Sequence, residues 1–159
     1  MSGSVPRELM VLLERLGLAD AGAIRAVEGR VRRLGRDLPQ FQPIWVDALV
    51  QSRLLSPYQA AEINAGRGED LRLGPYVLVT KLSSLGYAQR FVAQSAESDD
   101  RVELLVFRKP RVVPEIEHLC ALIERNRALV AEGLAPLSEC GGEGGQVWAA
   151  MHAVLGQTA

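Results

Sequence analysis

At 159 residues the chain has room for one medium domain or two small ones, each with a hydrophobic core. Hydrophobic residues make up 48% and charged residues 23%, an ordinary globular composition. A net charge of −1 argues against an electrostatic nucleic-acid or membrane role, since either needs a concentrated basic surface.

The first stretch is helical in period. Leu9, Leu12, Leu13 and Leu16 recur at i, i+3, i+4 and i+7, and Gly17 is placed to end that helix. Ile24, Val27, Val31 and Leu34 form a second stripe that stops at Gly35. Arg32, Arg33 and Arg36, interrupted by Asp37, read as its solvated end. Ile44, Trp45, Ala48 and Leu49 predict a third helix, with Pro43 tolerated in the first turn because its missing N–H has no partner there anyway. Ser56, Pro57 and Gln59 spell a capping box for a fourth, running to about Ala65 and ending at Gly66. Helices this short need a packing partner. A small helical bundle is expected, and a docking surface anchored by Trp45 and Tyr58 is the alternative.

Past Gly74 the period changes. Tyr76–Leu82, Tyr87–Ala96 and Arg101–Arg108 read as strands, the last two joined by the polar turn Glu97-Ser98-Asp99-Asp100. Glu115–Glu132 reads as a helix behind Pro114, with Ile116, Leu119, Cys120 and Ile123 on one face. Two further strands, Leu134–Cys140 and Gln146–Val154, are expected around a flexible turn at Gly141–Gly145. No helix alternates between strands in the manner of a parallel sheet. The predicted architecture is therefore α+β: a small helical bundle over residues 1–70, then a five-stranded antiparallel sheet with one helix over residues 71–159.

Candidate chemistry is sparse. Cys120 and Cys140 fit no metal spacing and are expected to be free thiols, Cys120 on an apolar helix face and Cys140 in an exposed turn. His118 and His152 have no Cys or carboxylate partner at ligand spacing, so both are expected to be structural or surface histidines, and no metal site is predicted. No Walker loop, nucleophile elbow or paired-carboxylate cluster occurs, and the pair Ser83-Ser84 has no nearby base. The N-terminus lacks a basic-then-apolar signal pattern and no apolar run is long enough to span a bilayer, so a cytoplasmic address is expected.

One resemblance adds to this reading. The stretch Leu71-Arg72-Leu73-Gly74-Pro75-Tyr76-Val77-Leu78-Val79-Thr80-Lys81-Leu82 resembles the approach to the first strand of bacterial serine/threonine protein kinases. The helical stretch from Trp45 through Leu54-Leu55-Ser56-Pro57-Tyr58-Gln59-Ala60 is similar to one preceding the kinase domain in planctomycete members. Three strands, a helix and two strands match the element order of the kinase N-terminal lobe, and the resemblance covers roughly residues 40–155. It implies a degenerate, pseudokinase-like lobe, because the residues that would hold ATP are absent. The three glycines of the phosphate-covering loop fall on Ser83, Leu85 and Ala88, with Gly86 at an interior position. The valine over adenine falls on Arg90. The Val-Ala-x-Lys of the third strand becomes Val102-Glu103-Leu104-Leu105, so Glu103 replaces the adenine-lining alanine and Leu105 the phosphate-pairing lysine. Lys109 lies four residues further on, and Leu122 occupies the partner glutamate's position unless a two-residue shift brings in Glu124. Met151 falls near the gatekeeper. No His-Arg-Asp or Asp-Phe-Gly motif occurs.

The resemblance thus implies no enzyme, no cofactor and no catalytic residue. The expected function is a non-catalytic protein-interaction or regulatory module. Its partner would be another kinase-like protein or a second copy of the chain, with no nucleic acid or membrane involved. The alternatives are a small-ligand or nucleotide sensor using the remodelled cleft, with Arg90 and Glu103 as its polar groups, and a fragment of a longer kinase-like protein.

Overall fold

A computed structural model describes residues 5–36, 42–84, 88–98, 100–108, 118, 121, 137–143 and 146–152. The chain forms two compact units, Met1–Arg72 and Leu73–Ala159. The expected boundary of 70/71 lies two residues earlier.

The first unit holds helices α1 (Arg7–Leu16), α2 (Ala21–Leu34), α3 (Gln42–Gln51) and α4 (Pro57–Asn64), followed by a 3-10 turn at Gly68–Leu71. Its helix ends are set by local chemistry. Gly17 adopts φ +66° after α1, where the amides of Gly17 and Leu18 bond back to carbonyls of the last turn. Asp20 caps α2 by accepting from the Ala23 amide at 2.7 Å. At α4 the capping box is complete: the Gln59 amide donates to Ser56 Oγ at 3.1 Å, and the Ser56 amide donates to Gln59 Oε1 at 2.9 Å.

The apolar stripes supply this unit's core. Leu9, Leu13, Leu16, Ile24, Val27, Val31, Val46, Ala48 and Leu49 are all buried. Two expectations shift at the margins: Leu34, at the end of its stripe, is 42% exposed, and Val46 is buried while Ile44 is only half-buried. Trp45 is 1% exposed, which removes it as a docking anchor, because a side chain already buried has no apolar surface left to offer. The bundle reading is the one observed.

The second unit is built on an antiparallel sheet of β1 (Arg72–Leu73), β2 (Tyr76–Ser84), β3 (Ala88–Ser95), β4 (Arg101–Arg108), β5 (Leu137–Glu143) and β6 (Gln146–His152). The spatial order is β1-β2-β3-β4-β6-β5, which leaves β5 at one edge. Six strands replace the expected five. The addition is the two-residue β1, too short to show any period in sequence. The glycine turn is also corrected: Gly141 and Gly142 lie inside β5. A Cβ built on Gly141 would stand 2.5 Å from Trp148 Cζ2, so glycine here admits the indole of the neighbouring strand. The predicted helix over 115–132 falls almost wholly outside the described residues; His118 and Ala121 are described, helical and exposed.

Paired residues on antiparallel strands share a face. One face carries Tyr76, Leu78, Phe91, Ala93, Val102, Leu104, Val106, Trp148 and Ala150, all buried. There Tyr76 and Trp148 meet edge to face with ring centroids 5.3 Å apart.

Candidate functional site, the opposite face of the sheet

The other face is where the sequence resemblance would put a nucleotide. Register places its residues. Arg90 pairs with Leu105, Val92 with Glu103, and Gln94 with Arg101 across β3 and β4. On the far side Leu105 pairs with Ala149 and Glu103 with Met151. On the near side β2 contributes Val77, Thr80 and Ser83, opposite Gln94, Val92 and Arg90.

Two irregularities in β2 produce that last alignment. The register shifts between Leu78 and Thr80, and again between Lys81 and Ser83. Each inserts one extra residue into β2, Val79 and then Leu82, so the register advances twice. Without them Arg90 would oppose Lys81; with them it opposes Ser83. Leu82 is 47% exposed as the extra residue of the second bulge.

Of the six positions singled out by the resemblance, the structure brings Ser83, Arg90, Glu103 and Leu105 to one face. Leu85 lies outside the described residues. Ala88 is described in its backbone, which pairs with Phe107. Between Arg90 and Glu103 stands an ion pair: Arg90 Nε donates to Glu103 Oε1 at 2.6 Å, and Arg90 Nη2 contacts the same oxygen. The side chains are 40% and 25% exposed, so the pair is partly screened by water. Leu105, directly across from Arg90, offers neither donor nor charge. Ser83 Oγ is buried, with no hydrogen-bond partner among the described residues.

At the positions where a nucleotide's base and phosphates would need an apolar wall and free positive charge, the described cation is Arg90, already matched by Glu103; Arg101 lies further along the same face, opposite Gln94. Among the described residues no group of three or more His, Cys, Asp or Glu is arranged to hold a metal ion. His152 pairs with Val102, and His118 is exposed.

Sequence reasoning missed the parts of this face that register alone reveals. Thr80 joins it, opposite Val92, because the first bulge turns it over from the face of Tyr76 and Leu78. The free-thiol expectation is also corrected: Cys140 is disulfide-bonded, and no described cysteine is free. The chain's one other cysteine, Cys120, lies outside the described residues. Spacing alone could not show this, because a single pair of cysteines twenty residues apart has no framework pattern. In the helical unit an open depression of about 570 Å³ is lined by Glu14, Gly17, Leu18, Ala19, Asp20, Ala23 and Leu54.

No protein-family model matches the chain. No curated protein matches it either. Among solved structures, the PknI kinase domain of Mycobacterium tuberculosis is similar over 52% of this chain and 35% of its own length, with 19% sequence identity and a TM-score of 0.44. The chain thus spans about a third of that domain. Among the described residues, no helix is long and apolar enough to cross a membrane.

Proposed function

We propose that the chain is a non-catalytic protein-interaction or regulatory module whose second unit is a kinase N-lobe without an ATP site. The observation that carries this reading is the Arg90–Glu103 ion pair, set across from Leu105 on the face that would otherwise receive nucleotide. A phosphate approaching this face meets a carboxylate at Glu103 and a guanidinium already neutralised by it. Separating the pair to free Arg90 would cost the ligand part of its own binding energy, and Leu105 returns nothing in exchange. What the face does offer is a mixed polar–apolar surface of Val92, Leu105 and Met151 around a neutral ion pair, a composition suited to a protein partner. That partner is another kinase-like protein or a second copy of this chain.

A second reading is favoured by Ser83 Oγ, buried beside Arg90 and without a hydrogen-bond partner among the described residues. An unpaired buried hydroxyl is costly, and a small polar ligand would satisfy it. The test is a thermal-shift titration with ATP and magnesium, with light scattering for molar mass. The module reading expects no nucleotide shift and a mass above the 17.3 kDa monomer, alone or with the partner. A saturable shift with ATP would overturn it and leave the sensor reading standing, since selective binding to the folded state raises its melting temperature.

A further inference from the structure

Arg90 and Glu103 place two opposite charges side by side on the candidate face, with no net charge between them. Both side chains stay partly open to water. Around them the face is apolar and only half covered. Val92 sits between Thr80 and Glu103, Leu105 lies across from Arg90, and Met151 lies across from Glu103. All three are half-buried, whereas their chain neighbours Phe91, Leu104 and Ala150, on the other face, are sealed. Apolar surface grouped in this way gains from being covered.

Two adjacent charges of opposite sign form a pattern that is its own complement. A twofold axis parallel to the sheet, and perpendicular to the line from Arg90 to Glu103, reverses that line in a second molecule. Arg90 of each copy then faces Glu103 of the other, and neither charge meets its like. The contact closes on itself, because a twofold interface uses the same patch on both molecules. An unrelated partner would need its own charges placed to match, whereas a second copy supplies them by symmetry. Each charge also keeps its partner within the chain, so none is left uncompensated when water is excluded. Arg101, two residues along β4 on the same face, is exposed and falls at the margin of the contact.

We infer that the chain forms a twofold dimer through this face, with Arg90 of one copy set against Glu103 of the other and Val92, Leu105 and Met151 packed around them. The inference rests on the proposed function and narrows its partner to a second copy of the chain.

Sedimentation equilibrium of the full chain and of two charge reversals tests it. Wild type should reach twice the 17.3 kDa monomer mass. Arg90→Glu and Glu103→Arg should each weaken self-association by about a hundredfold or more, because each sets like charges against one another across the axis. An equimolar mixture of the two variants should pair again, acidic face on basic face. The double reversal should dimerise like wild type. Circular dichroism shows whether each reversal is folded. If one is not, Val92→Lys replaces it, and its added charge and length on the same face should give a monomer.

A wild type that is monomeric at its highest soluble concentration would overturn the inference and leave the module reading with a different protein partner. A dimer that survives the substitutions, or folded reversals that do not pair when mixed, would assign self-association to another surface and overturn it too. Failure of the module reading itself is separate: it is a saturable shift with ATP, whatever the mass of the protein.

Discussion

Arg90 on β3 reaches past its direct partner Leu105 to grip Glu103, the diagonal neighbour on β4, with Nε 2.6 Å from Oε1. Three residues at which the resemblance expects a valine, an alanine and a lysine are therefore linked. The two charged residues satisfy each other, and the leucine offers neither of them a competing partner. A single charge at either position would be an unpaired group on a half-buried surface, so the two charged residues make physical sense only together.

That coupling is measurable. A double-mutant cycle of Arg90→Ala and Glu103→Ala should give an interaction energy of about 0.5–1 kcal/mol, toward the upper end for exposed pairs because two guanidinium nitrogens share one carboxylate oxygen. The measurement is urea unfolding of the four proteins in low salt. Additive single effects would mean that the pair contributes nothing and that the proposed function loses the observation that carries it.

How much of this could be read from sequence depends on the scale at which each feature is encoded. The Ser56–Gln59 box and the Gly17 stop are local, involve residues three or four apart, and appear where expected. The antiparallel strands followed from alternation and turn residues. The face did not, because it depends on register. Two single-residue bulges decide that Ser83 rather than Lys81 meets Arg90, and a bulge leaves no mark in the alternation of Val79-Thr80-Lys81-Leu82. Gly141 was misread for a related reason: glycine looks like a turn residue until the indole occupying its missing side chain is seen. The bond at Cys140 is non-local in the same sense.

Ser56→Ala isolates the local end of that scale. Losing the hydroxyl strands the Gln59 amide and half of the capping box, and should cost about 1 kcal/mol in thermal or urea unfolding. Ser56→Asp should restore most of it, as another good capping residue. Equal losses in both variants would show that packing rather than the cap sets the start of α4.

Two glycine-to-alanine changes should move stability in opposite directions. At Gly141 the added methyl runs into the Trp148 ring, which is flanked by Tyr76 and has little freedom to retreat; overpacking of this kind costs about 1–3 kcal/mol. At Gly29, exposed within α2, nothing lies within 4 Å of a new Cβ, and alanine's helix propensity should raise stability by about 0.5–1 kcal/mol. Chemical denaturation of both variants supplies the comparison. A neutral Gly141→Ala would mean that β5 and β6 separate easily enough to absorb a methyl group.

The last prediction concerns alkaline pH. Burial first, and the hydrogen bond to Glu139 second, push the Tyr76 hydroxyl's pKa well above its ordinary value of 10.0. In the unfolded chain that proton is lost near pH 10, while in the folded protein it is retained to higher pH. Above about pH 10 the unfolded state therefore binds fewer protons at this site than the native state, and stability falls as pH rises. The contribution is fully present below the unfolded pKa and disappears as pH climbs through the folded one. Tyr76→Phe has no proton to lose. It should be less stable than wild type at neutral pH by about 1 kcal/mol for the lost hydrogen bond. The gap should narrow between about pH 9 and pH 11 as the wild type alone is penalised. Parallel urea titrations of the two proteins across that range report the difference directly, cancelling the other tyrosines and the lysines. A gap that stays constant would mean that Tyr76 ionises in the folded protein as readily as in the unfolded chain, and that Glu139 does not hold its hydroxyl.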